Sequence, residues 1–173
     1  MKKLLLLWSA LLPLPGCGSA QNPPAGVAPA YAALLRTMYK HSVPTVSAAE
    51  LDRLRQQQPA LAVLDTRTAA EYRVSHLPGA RFLDYDAFTA AAVRDLPREQ
   101  PVVVYCSVGV RSERIGEQLR ALGFRDVRNL YGGIFQWSNE ARPLVDAQGP
   151  TRRVHPYSAL WGAWLTRGEK AYE

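Results

Sequence analysis

Cysteine is scarce in this sequence, which contains only two among its 173 residues, Cys17 and Cys106. The first lies in a stretch of small residues near the N-terminus, and the second follows an apolar run in the middle of the chain. Because these contexts differ so much, the two cysteines are a poor match to the disulfide frameworks that staple small secreted domains. Each cysteine therefore needs an explanation of its own.

Long apolar runs and a strong excess of charge are also missing. The apolar segment LLLLWSALLPL near the N-terminus is too short to be a transmembrane helix. The formal net charge is +6, and removing Lys2 and Lys3 leaves 19 basic against 15 acidic residues, or +4. A charge this small and scattered argues against nucleic acid as a partner, although it is compatible with a small anionic substrate. The sequence has no internal repeat and no low-complexity segment, which leaves one globular domain with terminal extensions.

The first twenty residues have the pattern of an export signal. Two lysines precede the apolar segment, and small residues follow it. The residues from Leu14 to Cys17 (LPGC) resemble a bacterial lipoprotein signal, which implies that residues 1–16 are removed and Cys17 is lipidated. The protein is then anchored by lipid outside the cytoplasm in the cell envelope, facing the periplasm in a Gram-negative cell. Cleavage after Ala20 is the alternative, and it would give a soluble secreted protein.

The segment between this signal and the domain changes character near residue 30. The stretch QNPPAGVAPA is rich in Pro, Ala and Gly, so residues 17–30 are interpreted as a tether. Residues 31–44 are predicted to form an amphipathic helix, because their apolar side chains follow helical spacing: Tyr31, Leu34, Leu35, Met38 and Tyr39. We expect this stripe to pack on the domain, with a membrane surface or a partner protein as the alternative.

Residues 45–147 alternate between helical and strand patterns. Ser47 and Glu50 have the spacing of a capping box that opens a helix. Four short apolar runs, 61–65, 79–83, 101–106 and 126–130, are spaced by helical or turn segments, and the third has no polar alternation, which is typical of a strand buried on both faces. The pattern predicts an α/β domain with a largely parallel central sheet of about five strands flanked by helices.

Residues 148–173 are predicted to form a C-terminal arm. Its aromatic and apolar residues follow helical spacing: Tyr157, Leu160, Trp161, Trp164 and Leu165. We expect the arm to pack over the domain, and docking of a partner protein is the alternative.

Cys106 has the position of a reactive residue. It follows a predicted buried strand, and ligands of open α/β sheets bind beyond the carboxyl ends of the strands. Residues 111–122 are predicted to be a helix, so Cys106 begins a short loop that leads into a helix N-terminus. Loop amides, the helix dipole and Arg111 would all favour a thiolate over a thiol. Gly109 suits a tight backbone position in this loop.

Three segments together resemble rhodanese-type sulfurtransferases. The loop CSVGVRS, residues 106–112, is similar to the active-site loop C-x-x-G-x-R-S of that family. The upstream stretch LDTRTAAEYRVSHLPGA, residues 64–80, and the downstream stretch NLYGGIFQW, residues 129–137, resemble two further elements of the family in the right order. The resemblance covers about 100 residues and implies a rhodanese-like fold.

The resemblance also implies a mechanism and a site. Cys106 attacks the outer sulfur of a small anionic donor such as thiosulfate, and the persulfide is passed to a thiol, cyanide or sulfite. Arg111 is the second catalytic residue and binds the donor's charge. The substrate-binding residues are those of the loop: Ser107, Val108, Gly109, Val110 and Ser112. The reaction needs neither a metal nor an organic cofactor, and the expected enzyme is a monomer of the thiosulfate sulfurtransferase type.

A supporting set of charged residues is expected beside this loop. Asp65 and Arg67, together with Glu71, look like an ion pair or hydrogen-bond set that braces the crevice at the strand ends. His41 and His155 belong to no pattern and are expected at the surface.

Two other functions remain open from the sequence. The dual-specificity phosphatases of the cell cycle share this fold, but their loop has five residues between Cys and Arg, whereas this one has four, so phosphatase or arsenate reductase activity is less favoured. A domain that carries a persulfide without turnover, or that binds an envelope protein, is the other alternative. Because no second cysteine is available to resolve the persulfide, turnover would need an external acceptor.

Overall fold

The computed structural model describes residues 23–173, so the predicted signal peptide and Cys17 lie outside the described residues. Its centre is a sheet of five parallel strands, in the order β1-β5-β4-β2-β3. The strands are β1 (Thr45–Val46), β2 (Ala62–Asp65), β3 (Arg81–Phe82), β4 (Val102–Tyr105) and β5 (Val127–Leu130). This confirms the predicted α/β architecture with a parallel sheet.

The helices cover both faces of the sheet. They are α1 (Pro29–Met38), α2 (Ala48–Gln57), α3 (Ala69–Val74), α4 (Val110–Ala121), α5 (Gly133–Asn139) and α6 (Ala159–Gly162), with a short 3-10 helix at Ala90–Val93. Side chains of a strand alternate between the two faces of a sheet. In β4, Val103 and Tyr105 accordingly pack in one apolar cluster with α1, α2 and α5, while Val102 and Val104 pack in the other with α4. All four side chains of β4 are buried, which places its carboxyl end at the centre of the domain.

Helix α1 is shorter than the predicted helix over 31–44. It begins at Pro29, a residue suited to the first helical turn, and ends at Met38, because Tyr39 has an extended backbone. Tyr31, Leu35 and Tyr39 are buried against the domain, so the apolar stripe packs there as expected. The chain then turns through His41, which has a φ of 56°, and Val43 reaches the apolar cluster on the other side of the sheet.

Helix α2 begins as predicted, but its capping box is incomplete. The Ser47 hydroxyl accepts a hydrogen bond from the Glu50 amide at 3.1 Å. The Glu50 carboxylate lies 3.9 Å from Arg128 instead of returning to the cap. A complete capping box forms at α3, between Thr68 and Glu71.

The C-terminal residues fold differently from the predicted helical arm. Strands β6 (Leu144–Asp146) and β7 (Gly149–Thr151) form a hairpin across the expected boundary at residue 147, and β8 (Arg153–Val154) pairs with β9 (Glu169–Lys170). The helical spacing yields only the single turn of α6. Asn139 explains the interruption, because its side chain donates to the Trp164 carbonyl and accepts from the amides of Thr166 and Arg167.

This C-terminal segment nevertheless packs on the domain. Val154 and Leu165 are buried, and the Trp164 ring stacks on Tyr31 of α1 with 5.5 Å between ring centroids. Leu160, in contrast, is 78% exposed and does not take the inward position that the helical spacing predicted. Among residues 23–173, no helix combines the length and the apolar character needed to cross a bilayer.

Candidate active site at the Cys106 loop

Cys106 follows β4 directly and starts a tight loop that ends at the first residue of α4. The loop closes through Gly109, which precedes α4 and has a φ of 104°. An added Cβ at Gly109 would overlap the hydroxyl of Tyr39 and lie 2.8 Å from its Cζ atom. This position therefore requires glycine for two reasons, the left-handed backbone and the close approach of Tyr39.

The loop carbonyls all point toward donors from the rest of the domain. Those of Cys106 and Ser107 accept from the amides of Ile134 and Phe135 at 2.9 and 3.1 Å. The Val108 carbonyl accepts from the Tyr39 hydroxyl at 2.6 Å, and the Gly109 carbonyl accepts from the Asn129 side chain at 2.9 Å. These four contacts hold the loop backbone in its tight curve.

One of the loop amides contacts the sulfur itself. The Gly109 N–H donates to Cys106 Sγ at 3.1 Å, in line with the start of the twelve-residue helix α4. Cys106 is 1% exposed, so this donor acts where little water competes with it. Amide donors and a helix N-terminus stabilise negative charge, which suits a thiolate and the anions that would react with it.

Arg111 is held by Glu71 rather than left free. Its Nη1 and Nη2 donate to Glu71 Oε2 and Oε1 at 3.0 and 2.7 Å, and Nη2 also donates to Ser107 Oγ at 3.0 Å. Ser107 Oγ donates to Glu71 Oε1 at 2.7 Å, and Thr68 donates its amide and hydroxyl to Oε2. Burial alone would raise the pKa of Glu71, but the hydrogen bonds and charge of Arg111, with those of Ser107 and Thr68, hold it at about 2.

This arrangement corrects the predicted grouping of Glu71 with Asp65 and Arg67. Asp65 and Arg67 form a separate, fully buried ion pair, in which Arg67 Nη2 and Asp65 Oδ2 are 2.7 Å apart. Tyr105 donates to the same Asp65 oxygen at 2.6 Å, and Arg67 Nη2 also donates to the Ser75 carbonyl. The pair ties β2 to β4 and to the end of α3, whereas Glu71 reaches the cysteine loop because it lies in the first turn of α3.

Ser112 does not reach the site through its side chain. Its hydroxyl is fully buried and donates to Asn129 Oδ1 at 2.8 Å, so it helps to hold the loop from behind. Ser112 directly follows Arg111 as the third residue of α4, and its side chain turns toward β5, so its hydroxyl has no part in the predicted substrate site.

A cavity of about 160 Å³ opens beside Cys106. The predicted loop residues Ser107, Val108, Val110 and Arg111 contribute to it. Its remaining lining comes from Met38, Tyr157 and Trp161, none of which was predicted at the site. A larger cavity of about 540 Å³ lies between the end of α5 and the C-terminal segment, but Cys106 does not line it, so we place the active site at the smaller one.

Comparison with known proteins identifies the domain. The profile of the rhodanese-like domain matches residues 47–140, which is more than half of the chain. The chain belongs to the rhodanese-like domain family. The matched residues contain β2 to β5 and the whole cysteine loop, and they exclude the C-terminal segment that completes the cavity.

Relatives of this rhodanese-like domain include a sulfurtransferase from Allochromatium vinosum, 33% identical over 97 residues, with 56% of this chain and 89% of that protein covered. A probable adenylyltransferase/sulfurtransferase from Mycobacterium tuberculosis is 31% identical over 84 residues, 48% of this chain, and the match spans only 21% of that relative. The solution structure of an Anabaena rhodanese-like domain is 27% identical, with a TM-score of 0.55, and the match covers 60% of this chain and 79% of that one. These likenesses support sulfur transfer as the general activity.

The C-terminal segment brings two aromatic side chains to the rhodanese-like site. The Tyr157 ring lies 4.9 Å from the guanidinium carbon of Arg111, and Trp161 borders the same cavity. His155 is half-buried rather than exposed, and its Nδ1 accepts from the Tyr157 amide at 3.0 Å. Burial lowers the pKa of His155, the charges of Arg67 and Arg111 add to this, and Glu71 opposes it.

Among residues 23–173, no group of three or more His, Cys, Asp or Glu side chains is placed to bind a metal ion. The groups that the structure places at the described site are the Cys106 thiol, the loop amides and the Glu71–Arg111 pair.

Proposed function

We propose that this protein transfers a sulfane sulfur from a small anionic donor such as thiosulfate, through a persulfide on Cys106, to a thiol, cyanide or sulfite. The observation that carries the proposal is the Gly109 N–H donating to Cys106 Sγ at 3.1 Å, at the start of α4. That contact suits a sulfur that is a thiolate before the first half-reaction and leaves as a thiolate in the second.

The proposed reaction has two balanced steps. In the first, the Cys106 thiolate attacks the outer sulfur of thiosulfate, the S–S bond of thiosulfate breaks, and sulfite leaves with the bonding electrons. In the second, an acceptor nucleophile attacks the outer sulfur of the persulfide, and Cys106 leaves as a thiolate. Cyanide would leave as thiocyanate, and a thiol would leave as an organic persulfide, without any external oxidant.

Donor binding is proposed to rest on directional hydrogen bonds more than on free charge. The amides of Ser107 and Val108 have no acceptor within the described residues, and they border the cavity beside the sulfur. Arg111 uses three hydrogen bonds on Glu71 and Ser107, which leaves further N–H donors on its guanidinium. An anionic donor would bind to these groups together.

Intact mass tests the proposal. The full chain is treated with thiosulfate and then with cyanide, alongside Cys106→Ser. We expect the wild type to gain one sulfur, ~32 Da, and to lose it to cyanide with release of thiocyanate, whereas the variant gains nothing. A persulfide that forms but is not discharged by cyanide or thiols would favour a sulfur carrier, and absence of any adduct would overturn the proposal.

We further propose that the domain acts outside the cytoplasm on a lipid anchor at Cys17. The support is the sequence signal itself, a basic start, an apolar segment and small residues around Cys17. The test is fractionation of cells that express the wild type or Cys17→Ser. Wild-type protein is expected in the membrane fraction and the variant in the soluble fraction. Equal partitioning of the two proteins would contradict the anchor.

A further inference from the structure

The outer wall of the cavity beside Cys106 is apolar. Val108 and Val110 contribute from the loop, and Met38 contributes from the end of α1. Tyr157 and Trp161 close the opposite side from the C-terminal segment. The polar lining, Ser107 and Arg111, directs its hydrogen bonds to Glu71, so most of the wall offers contacts that suit carbon rather than oxygen.

The positive charge at this cavity is largely compensated. Glu71 neutralises Arg111 through two contacts, and the Tyr157 ring lies over the guanidinium on another side. An ion with two negative charges can accept hydrogen bonds from the amides close to the sulfur. Farther out in the cavity it meets no positively charged side chain without a partner among the described residues. The part of the cavity beyond the sulfur therefore favours an uncharged group.

The size of the cavity narrows the choice of group. An apolar protein cavity of roughly 150 Å³ holds one benzene molecule. The cavity beside Cys106 has about 160 Å³, which is space for a phenyl ring or a compact branched alkyl chain and not for a large cofactor.

The wall formed by the C-terminal segment is held in place by polar contacts to α5. Asn139 binds the Trp164 carbonyl at 2.9 Å and the Thr166 amide at 2.8 Å, and Ser138 donates to the Arg167 carbonyl at 3.1 Å. The Trp164 ring stacks on Tyr31. These contacts hold residues 164–167 against the domain, and nearer the sulfur the Tyr157 ring, which is 50% exposed, lies 4.9 Å from the guanidinium carbon of Arg111.

We propose that Tyr157 and Trp161 form a subsite for the carbon skeleton of the sulfur acceptor, so that the Cys106 persulfide is discharged preferentially to a thiol carried on a compact apolar or aromatic group. The acceptor thiolate attacks the outer sulfur of Cys106–S–SH, the S–S bond breaks, Cys106 leaves as a thiolate, and the product is the organic persulfide RSSH. This proposal rests on the proposed persulfide cycle and adds the class of acceptor.

The test compares two thiols of similar size in single-turnover discharge of the sulfur-loaded full chain. Phenylmethanethiol is the apolar acceptor, 2-mercaptoethanesulfonate is the charged one, and each rate is divided by that thiol's rate with glutathione persulfide to remove intrinsic reactivity. We expect the wild type to favour phenylmethanethiol by roughly tenfold or more, a selectivity that apolar contacts of this size supply. Equal normalised rates would overturn the inference.

Substitutions in α6 test whether the aromatic wall causes the preference for phenylmethanethiol. Trp161→Ala should lose most of the preference, while Trp161→Phe should retain part of it. Leu160→Ala is the matched control, because Leu160 belongs to the same turn of α6 but is 78% exposed and does not line the cavity. Equal loss of selectivity in Trp161→Ala and Leu160→Ala would contradict the subsite.

A variant outside the C-terminal segment tests the inference even if Trp161→Ala unfolds that segment. Val110→Thr keeps the volume of the side chain and adds a hydroxyl to the apolar wall, so it should lower the preference for phenylmethanethiol severalfold. An unchanged preference would contradict the inference.

The loading step distinguishes failure of this inference from failure of the proposed persulfide cycle. A chain that gains no sulfur from thiosulfate or polysulfide would overturn both proposals. Loading followed by unselective discharge would overturn only this one.

Discussion

Glu71 connects the fold to the chemistry at the scale of a single residue. Its carboxylate accepts from Arg111, Ser107 and Thr68, and its side chain is only 1% exposed. Arg111 lies in the first turn of α4, where a cation opposes the helix dipole. The anion that compensates for it is Glu71, a residue of the protein, whereas the sequence suggested a substrate.

Replacing Glu71 tests this coupling. In Glu71→Gln, Arg111 loses its charged partner in a mostly buried site, and we expect the free energy of unfolding at pH 7 to fall by about 3 kcal/mol. Glu117→Gln is the control, because Glu117 lies 3.9 Å from Lys40 in a half-exposed pair and should change stability much less. Denaturant unfolding measures both, and equal effects would contradict a special role for Glu71.

The same residue predicts a pH dependence. The folded-state pKa of Glu71 is about 2, below its ordinary value near 4.5. A carboxyl with a lowered pKa contributes stability that is complete above its ordinary pKa and is lost as the pH falls toward the folded value. The stability of the wild type should therefore drop between pH 4.5 and 2 more steeply than that of Glu71→Gln. Parallel unfolding curves across that window would rule out this carboxylate as the source.

At the scale of elements, β4, the cysteine loop and α4 form one unit, and residues from other elements hold the loop in place. Tyr39, after α1, bridges the loop and the start of α5, because its hydroxyl donates to the Val108 carbonyl and accepts from the Gly132 amide. Gly109 lets this hydroxyl approach. The loop is therefore shaped by an element 69 residues away in the sequence.

Gly109→Ala tests that unit. The backbone conformation disfavours alanine, and the added methyl group also overlaps Tyr39. We therefore expect the free energy of unfolding to fall by more than the roughly 1–2 kcal/mol that a left-handed position alone costs. Gly123→Ala is the matched control, since Gly123 has a φ of 91° but open space around its Cα. Unfolding curves and the rate of sulfur loading should both be more affected in Gly109→Ala. A similar loss of stability in the two variants would show that the contact with Tyr39 is unimportant.

The hydrophobic patterns in the sequence predicted the strands and helices that depend on residues close together in the chain. The uninterrupted apolar run of β4 and the apolar spacing of α4 placed Cys106 at a strand end and before a helix, and both elements are present. The contact between Glu71 and Arg111 was harder to predict from the sequence. The Thr68-x-x-Glu71 spacing has the form of a capping box, however, and could have placed Glu71 at the start of α3.

At the scale of the whole molecule, the site depends on residues from both ends of the described chain. Met38 comes from the N-terminal helix, and Tyr157 and Trp161 come from a segment beyond the matched rhodanese-like residues. Helical spacing in the C-terminal segment indicated a helix laid on the domain. Side-chain hydrogen bonds from Asn139 instead fold it into short strands and one helical turn. Such long-range contacts leave no periodic signal, so the aromatic wall could not be predicted from the sequence.

Trp164 joins these two ends, because its ring stacks on Tyr31 while its carbonyl binds Asn139. Trp164→Ala removes the ring and retains the backbone hydrogen bond, so the expected loss of about 2 kcal/mol measures the aromatic contact between the C-terminal segment and α1. Leu160→Ala should change the free energy of unfolding by less than about 0.5 kcal/mol, since its side chain is mostly exposed. Hydrogen exchange should show faster exchange at residues 153–170 and in α1 together in Trp164→Ala, because the two segments support each other across the stack. Faster exchange in the C-terminal segment alone would show that α1 is held by the domain independently, and that the aromatic wall is the less stable part of the site.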